Sequence, residues 1–369
     1  MTWSTNFSTR SALGCLSILL WLGGCAGNPP RAVDPIGQDT PVIAVMPINN
    51  LSGFPAPLEG LRQRLLLLLE GYGVQLLPES QLQAFMAEQR IRYLGGIDAA
   101  TARQMENQTA VDAVLFSSLE LLNDTAPPRI AVSARLVSPG ADILWMQGVA
   151  VSGDEDVGLL ELNRVENADI LIDQALERLI GSLADHFRQT GSVHLRSERR
   201  AFEPEILSRA SLAEKRHPYR VAVLPFLNLS RRKHAGTLMQ LHFTKNIHTA
   251  PELEAVEPGI IRQALLQSRT VMVDGISLAD ANALFEKLQA DLILSGRVFD
   301  YQDFQGEAGE TRVCFSAMLL EKENRRMAWS AQSCRTGDVG VWFFDRGKIR
   351  TAHVLADAMA RGAVESIAP

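Results

Sequence analysis

The chain has 369 residues, enough for two domains of ordinary size, each with its own core. Its 36 basic and 42 acidic residues leave a formal net charge of -6, which argues against a general nucleic-acid binder. Hydrophobic residues make up 46% and charged residues 21%, an ordinary globular mix that decides little else.

The first 25 residues carry an address. Arg10 precedes an apolar segment over 12–22, too short to span a bilayer and of the length of a signal-peptide core. It ends in Leu22-Gly23-Gly24-Cys25, which resembles the bacterial lipoprotein box: an apolar residue and two small ones before the cysteine that is acylated. The resemblance implies a signal peptide over 1–24, lipid (palmitate) attachment at Cys25, and, with Ala26 and not aspartate next, outer-membrane sorting on the periplasmic face. A plain cleaved secretory signal containing Cys25 is the alternative, and Cys15 has no apolar core before it. Residues 25–40 carry Pro29, Pro30 and Pro35 and no apolar periodicity, so they read as a tether. At ~3.3–3.6 Å per residue its ~15 residues reach about 50 Å.

One short pattern then occurs twice, as Val42-Ile43-Ala44-Val45-Met46-Pro47 followed by Asn50-Leu51-Ser52, and as Val221-Ala222-Val223-Leu224-Pro225-Phe226 followed by Asn228-Leu229-Ser230. A continuous β-branched run closed by proline reads as a strand buried on both faces. After the first copy, the pattern predicts a helix over 58–70, a strand over 74–77 and a helix over 79–92. Gly95-Gly96 breaks that helix, and Asp98 caps another reaching about 109. A strand region follows over 111–122, then a hairpin of 129–137 and 143–152 across Ser138-Pro139-Gly140, and a closing helix over 167–189.

The second half repeats this order. Gly96 aligns with Gly275 and Asp112 with Asp291 at one offset (275 − 96 = 291 − 112 = 179), Trp145 with Trp329 and Gly153 with Gly337 at another (329 − 145 = 337 − 153 = 184). The difference implies a five-residue insertion in the second copy, and Ser277-Leu278-Ala279-Asp280 stands as a capping box where Asp98 caps the first. A tandem duplication follows, with repeat domains over 41–190 and 218–369. The stretch 191–217 between them, mixed in charge, reads as a solvated linker with a short helix over 204–215. The expected fold class is α/β: two duplicated domains, each a mixed sheet with a β-α-β-α-α-β core, a β-hairpin and a closing helix.

The opening strand, Val256-Glu257-Pro258, Ala290-Asp291 and the tryptophan-bearing hairpin resemble the periplasmic domain shared by three groups. These are the curli-secretion lipoprotein family, the lipoprotein activators of penicillin-binding proteins, and the amino-terminal domain of the Tol translocation protein. The resemblance covers both halves and implies an envelope lipoprotein without catalysis that binds protein partners or assembles, including as a homo-oligomer. A subunit of a curli-type secretion assembly and a regulator of cell-wall synthesis are the alternatives. Against a pore, the segments are short and continue directly into the domain hairpin, whereas a membrane strand needs about 9–11 alternating residues.

Motifs for catalysis are lacking: there is no Walker phosphate loop, dinucleotide glycine motif or Gly-x-Ser-x-Gly elbow. His242 and His248 are six apart and do not share a helix face, so no zinc site is expected, and no cofactor. Arg231, Arg232, Lys233 and His234 lead into a helix and form a candidate contact for an anion or partner, with a solvated loop as the plain alternative. Asn50 and Asn228 lie just past strand ends, where ligands bind in open sheets, although local turn capping is the plainer account of them. Trp342, Phe343 and Phe344 form an aromatic patch, either core or partner surface.

Cys314 and Cys334 remain in a compartment that permits disulfides. A hairpin turn centred on Asn324 pairs residues whose numbers sum to 648, and 314 + 334 is 648, so the two cysteines face each other. A disulfide is expected there; two buried free thiols are the alternative.

Overall fold

The computed structural model describes residues 1, 41–155, 164–188, 202–214, 218–269, 276, 278–303, 310–339 and 348–367. The first repeat contains β1 (Val42–Val45), β2 (Asn49–Asn50), α1 (Leu58–Gly71), β3 (Gln75–Leu76), α2 (Glu79–Glu88), α3 (Ala99–Thr109), β4 (Ala113–Asn123), β5 (Arg129–Val137), β6 (Ile143–Ser152) and α4 (Ala168–Arg188). Its sheet runs β3-β1-β4-β5-β6, with β1 parallel to β3 and β4, β2 parallel to β4 beyond β1, and the β4-β5-β6 ladder antiparallel. The second repeat contains β7 (Glu205–Arg209), β8 (Tyr219–Val223), β9 (Leu227–Asn228), α5 (Ala235–Thr249), β10 (Leu253–Ala255), α6 (Pro258–Ser268), α7 (Leu278–Leu288), β11 (Leu292–Gln302), β12 (Arg312–Glu321), β13 (Arg326–Thr336) and α8 (Ala352–Ile367). Its sheet runs β10-β8-β11-β12-β13-β7. Both repeats lie within one compact unit, Pro35–Pro369.

The two copies agree in their local chemistry. In each, the asparagine that ends the short second strand accepts through its side chain from the serine amide two residues on, at 3.0 Å, and its amide group donates across the turn, to Phe54 O in one copy and Arg232 O in the other. Asn50 and Asn228 are therefore turn-holders. Asp112 accepts from the amide of Val42 and Asp291 from that of Arg220, tying the start of the first strand to the third. The indole of Trp145 donates to Ser182 and that of Trp329 to Ser366, so each hairpin tryptophan anchors the closing helix. Gly153 and Gly337 are required by space: a Cβ on either would lie 2.1 Å from a backbone carbonyl, of Val165 or Ile349. Asp98 caps α3 through the amides of Ala100 and Thr101, while Gly275 and Ser277 lie outside the described residues. The insertion falls mainly between the ends of β11 and β12, where the second copy has residues 303–311 against 124–128 in the first.

α1 and α4 pack on one face of the first sheet over Leu65, Leu69, Leu136 and Leu179. α2 and α3 cover the other face only at the β1 end, around Met46, Phe85 and Phe116. The rest of that face is covered by the second repeat, where Leu51, Ile143 and Met146 join the core formed by α5 and α8 on their own sheet.

Residues 202–214 depart from the linker expected there. No short helix forms; β7 pairs antiparallel with β13, Phe202 is buried in the core, and its amide donates to Ala358 O. An edge strand with solvent on both faces has no alternating pattern to betray it, and the open edge of β13 recruits it. Cys25, the tether, and the Trp342, Phe343 and Phe344 patch lie outside the described residues.

Cys314 and Cys334 are cross-strand partners in the hairpin of β12 and β13 and are joined by a disulfide. The sum of 648 holds from Arg312 and Thr336 to Leu319 and Trp329, after which a bulge shifts the register. Closing a loop with a separation of 20 residues is worth roughly 3 kcal/mol through the unfolded chain. Protein taken from cells should therefore resist alkylation at both thiols until reduced, and reduction should lower its unfolding free energy by about that amount; labelling without reduction would contradict the pairing.

Candidate functional site: the buried junction of the repeats

The densest chemistry lies where the two repeats meet. Arg135 on β5 forms a two-pronged pair with Glu257, its Nε and Nη2 donating to the two carboxylate oxygens at 2.8 Å, while Nη2 also donates to Gly95 O at 2.6 Å. Their side chains are 3% and 0% exposed. Burial disfavours the charge on Arg135, but Glu257 outweighs it and the guanidinium pKa is raised. Glu257 also caps α6 through the Gly259 amide. Here the backbones of the two repeats touch: a Cβ on Gly96, at φ +156°, would meet Glu257 and the Gly259 amide, and one on Gly259 would lie 2.2 Å from the Ile97 amide.

Beside this pair sits a second cluster drawn from both copies. Glu120, from β4, lies 2.6 Å from His353 Nδ1 of α8, and His242 of α5 stacks edge-on against His353 at 4.8 Å between ring centres. Lys245 donates to Asp357 at 2.8 Å, Asn246 donates to the same carboxylate, and the Tyr301 hydroxyl is 3.2 Å from His242 Nε2. Glu120, His242, His353 and Asp357 are each 4% exposed or less. Burial pushes the Glu120 carboxyl up, but His353, with His242 and Ser133, holds it down at about 2. Asp357 is likewise held low against its burial, by Lys245 and His242. Burial and the neighbouring His353 depress His242 to about 4. Burial raises the Tyr301 hydroxyl well above its ordinary value.

The basic loop divides. Arg232 turns inward, its guanidinium donating to the Ser52 carbonyl and, at 2.5 Å, to the Glu120 carbonyl of the other repeat. Arg231, Lys233 and His234 are exposed, and burial together with Arg232 and Lys233 lowers the His234 pKa. Thus one member of the expected anion contact holds the repeats together, and three face solvent. Asp154, beside the repeated glycine, takes Arg350 of the other repeat at 2.6 Å.

Glu120, His242 and His353 bring one ligand-capable atom each within 4.8 Å of one another, a grouping that sequence spacing does not reveal. Glu120 is hydrogen-bonded to His353 across the two copies and Asp357 to Lys245 within the second, while His353 Nε2 is buried without a hydrogen-bond partner among the described residues. None of its carboxylates or imidazoles can meet a substrate while the repeats are joined. A cleft of about 180 Å³ opens at the same junction, between Tyr93, Asp98 and Arg262, with Arg262 stacked on the Tyr93 ring at 4.2 Å. Among the described residues, no helix is long and apolar enough to cross a membrane.

The titration of this cluster gives a signed expectation. His242 has an ordinary pKa of 6.5 and a folded value of about 4, so its contribution is present above pH 6.5 and lost as the pH falls towards 4. Holding His242 down from 6.5 to about 4 corresponds to about 3 kcal/mol. Glu120 adds a loss of the same sign from about 4.5 down to about 2. Urea unfolding across this range should show stability falling with acid, and His242→Asn should flatten the step between pH 6.5 and 4. A wild-type profile flat over that window would contradict the assignment.

No family model and no curated protein matches the chain. Among solved structures, it is similar to a PelC dodecamer from Paraburkholderia phytofirmans at 18% identity and TM-score 0.31, covering 45% of this chain and 98% of that one. It is similar to lipoprotein GNA1162 from Neisseria meningitidis at 16% identity and TM-score 0.28, covering 41% and 99%. The LpoB C-terminal domain from Salmonella enterica follows at 20% identity and TM-score 0.24, covering 30% and 82%.

Proposed function

We propose that the chain is an outer-membrane-anchored periplasmic lipoprotein that serves the cell envelope as a protein-binding or assembly module. One observation carries the reading: the two buried pairs that cross the junction, Arg135 with Glu257 and Glu120 with His353, are spent on joining the repeats and are closed to solvent. What the fold offers to the outside is surface. Phe299 and Leu229 are 48% and 55% exposed near the strand carboxyl ends of the second repeat, and Leu67 and Ile170 are 68% and 50% exposed on α1 and α4. The apolar leader ending at Cys25 and the proline-containing tether supply the anchor and a short reach.

Cys25→Ser should leave an unprocessed precursor or a soluble form, because the acyl chains provide the membrane affinity. Fractionation of cells with antibody detection reads this directly. Processed Cys25→Ser protein still sedimenting with the outer membrane would overturn the anchor.

A further inference from the structure

The duplication lets each residue at the internal junction be compared with its counterpart at an outer end. On the sheet side, β4 and β11 share an offset of 179, and both carry a bulge at the same place, between Leu119 and Leu121 and between Val298 and Asp300. The bulge residue of the first repeat is Glu120, 2% exposed under α8; its counterpart is Phe299, 48% exposed. Arg135 and Arg129, buried at the junction, correspond at an offset of 183 to Met318, partly exposed, and Arg312, exposed. On the helix side, the donor pairs Arg62 to Val45 O and Gln240 to Val223 O set an offset of 178 for α1 and α5. The tryptophan–serine pairs set 184 for α4 and α8. His242, Lys245, His353 and Asp357, all buried against the first sheet or beside that contact, thus correspond to Arg64, Leu67, Asp169 and Asp173, which are half-exposed or exposed.

The molecule therefore has one joined pair of faces inside and one unjoined pair outside, of the same two kinds. We propose that a second copy of this chain covers them. The sheet face around Phe299 and Met318 of one molecule docks on α1 and α4 of the next, repeating between chains the packing that joins the repeats within one. This rests on the assembly reading and names its partner. Two features favour a copy over another protein. The docking geometry is already realised once per chain, and the free faces complement each other in charge. Asp169, Asp173 and Glu177 outnumber Arg64 at the helix end, and Arg297 and Arg312 outnumber Asp300 on the sheet end. Apolar Phe299 and Met318 stand on one face, Leu67 and Ile170 on the other, where a monomer would leave them to water. Such a contact is heterologous, each molecule using two different patches, so it propagates head to tail into a ring or filament.

The test uses the full processed chain in analytical ultracentrifugation. Wild-type protein should form species larger than a dimer. Phe299→Glu and Leu67→Glu each remove one face and should each be monomeric, yet an equimolar mixture should form dimers and stop there, because each variant keeps the face the other lacks. Met318→Glu and Ile170→Glu repeat the design at separate positions, and unchanged circular dichroism excludes unfolding as the cause. A monomeric wild type, a single-face variant that still dimerises, or a mixture that stays monomeric would overturn the proposal. Should wild type be monomeric while these faces still crosslink to a different envelope protein, self-association fails and the module reading stands. Should neither occur, both fail.

Discussion

Replacing Arg135 with methionine should destabilise the protein by about 3–5 kcal/mol, because it leaves Glu257 buried without a countercharge. The pair is 3% and 0% exposed and joined by two hydrogen bonds of 2.8 Å, so solvent screening does not soften the loss. Replacing both partners, as Arg135→Met with Glu257→Gln, should recover much of it, since the expensive state is one ion left alone and not the absence of a pair. Urea unfolding of the two single variants and the double variant gives the coupling energy. Strict additivity would mean that the two groups do not depend on each other, contrary to their geometry. Because Arg135 and Glu257 belong to different repeats, the same series measures how far the copies stabilise each other.

Gly259→Ala should act with opposite signs in the whole chain and in the second repeat alone. Gly259 lies in the first turn of α6, where alanine is favoured over glycine by up to about 1 kcal/mol. A fragment of residues 202–369, which carries every described strand and helix of the second repeat together with the buried Phe202, should unfold cooperatively and be slightly stabilised by the change. In the whole chain the new Cβ would lie 2.2 Å from the Ile97 amide and 2.4 Å from its carbonyl, both backbone atoms of the first repeat. The repeats must then separate or the loop at Gly95 and Gly96 must shift, at a cost of several kcal/mol on the scale of severe overpacking. Thermal unfolding of both proteins, each with and without the substitution, checks the reversal. A gain in both settings would mean that the repeats do not touch at this point.

Much of each repeat was legible because its signals are local. The buried opening strands, the asparagine turns, the Asp98 cap and the hairpin register of Cys314 and Cys334 all depend on residues close in sequence or on a fixed period. The junction was not legible for the opposite reason. Glu120 and His353 are 233 residues apart, and Arg135 and Glu257 are 122 apart, and no periodicity links them. A usable trace did exist in the aligned copies: Glu120 against Phe299 and His353 against Asp169 are positions where a duplicated fold has changed chemistry without changing place. Within the basic run, sequence could not tell inward Arg232 from outward Arg231 and Lys233, because the distinction depends on a carbonyl of the other repeat. β7 escaped notice since an exposed edge strand needs no apolar face.

Whether this protein is a binding module that presents two uncovered faces can be read in intact cells with a photocrosslinking residue placed at Phe299, at Leu67 and, as a buried control, at Leu171. Discrete protein adducts are expected in the outer-membrane fraction from the first two positions, none from the third, and an adduct of twice the chain's mass among them. Uncrosslinked chain at both exposed positions would contradict it.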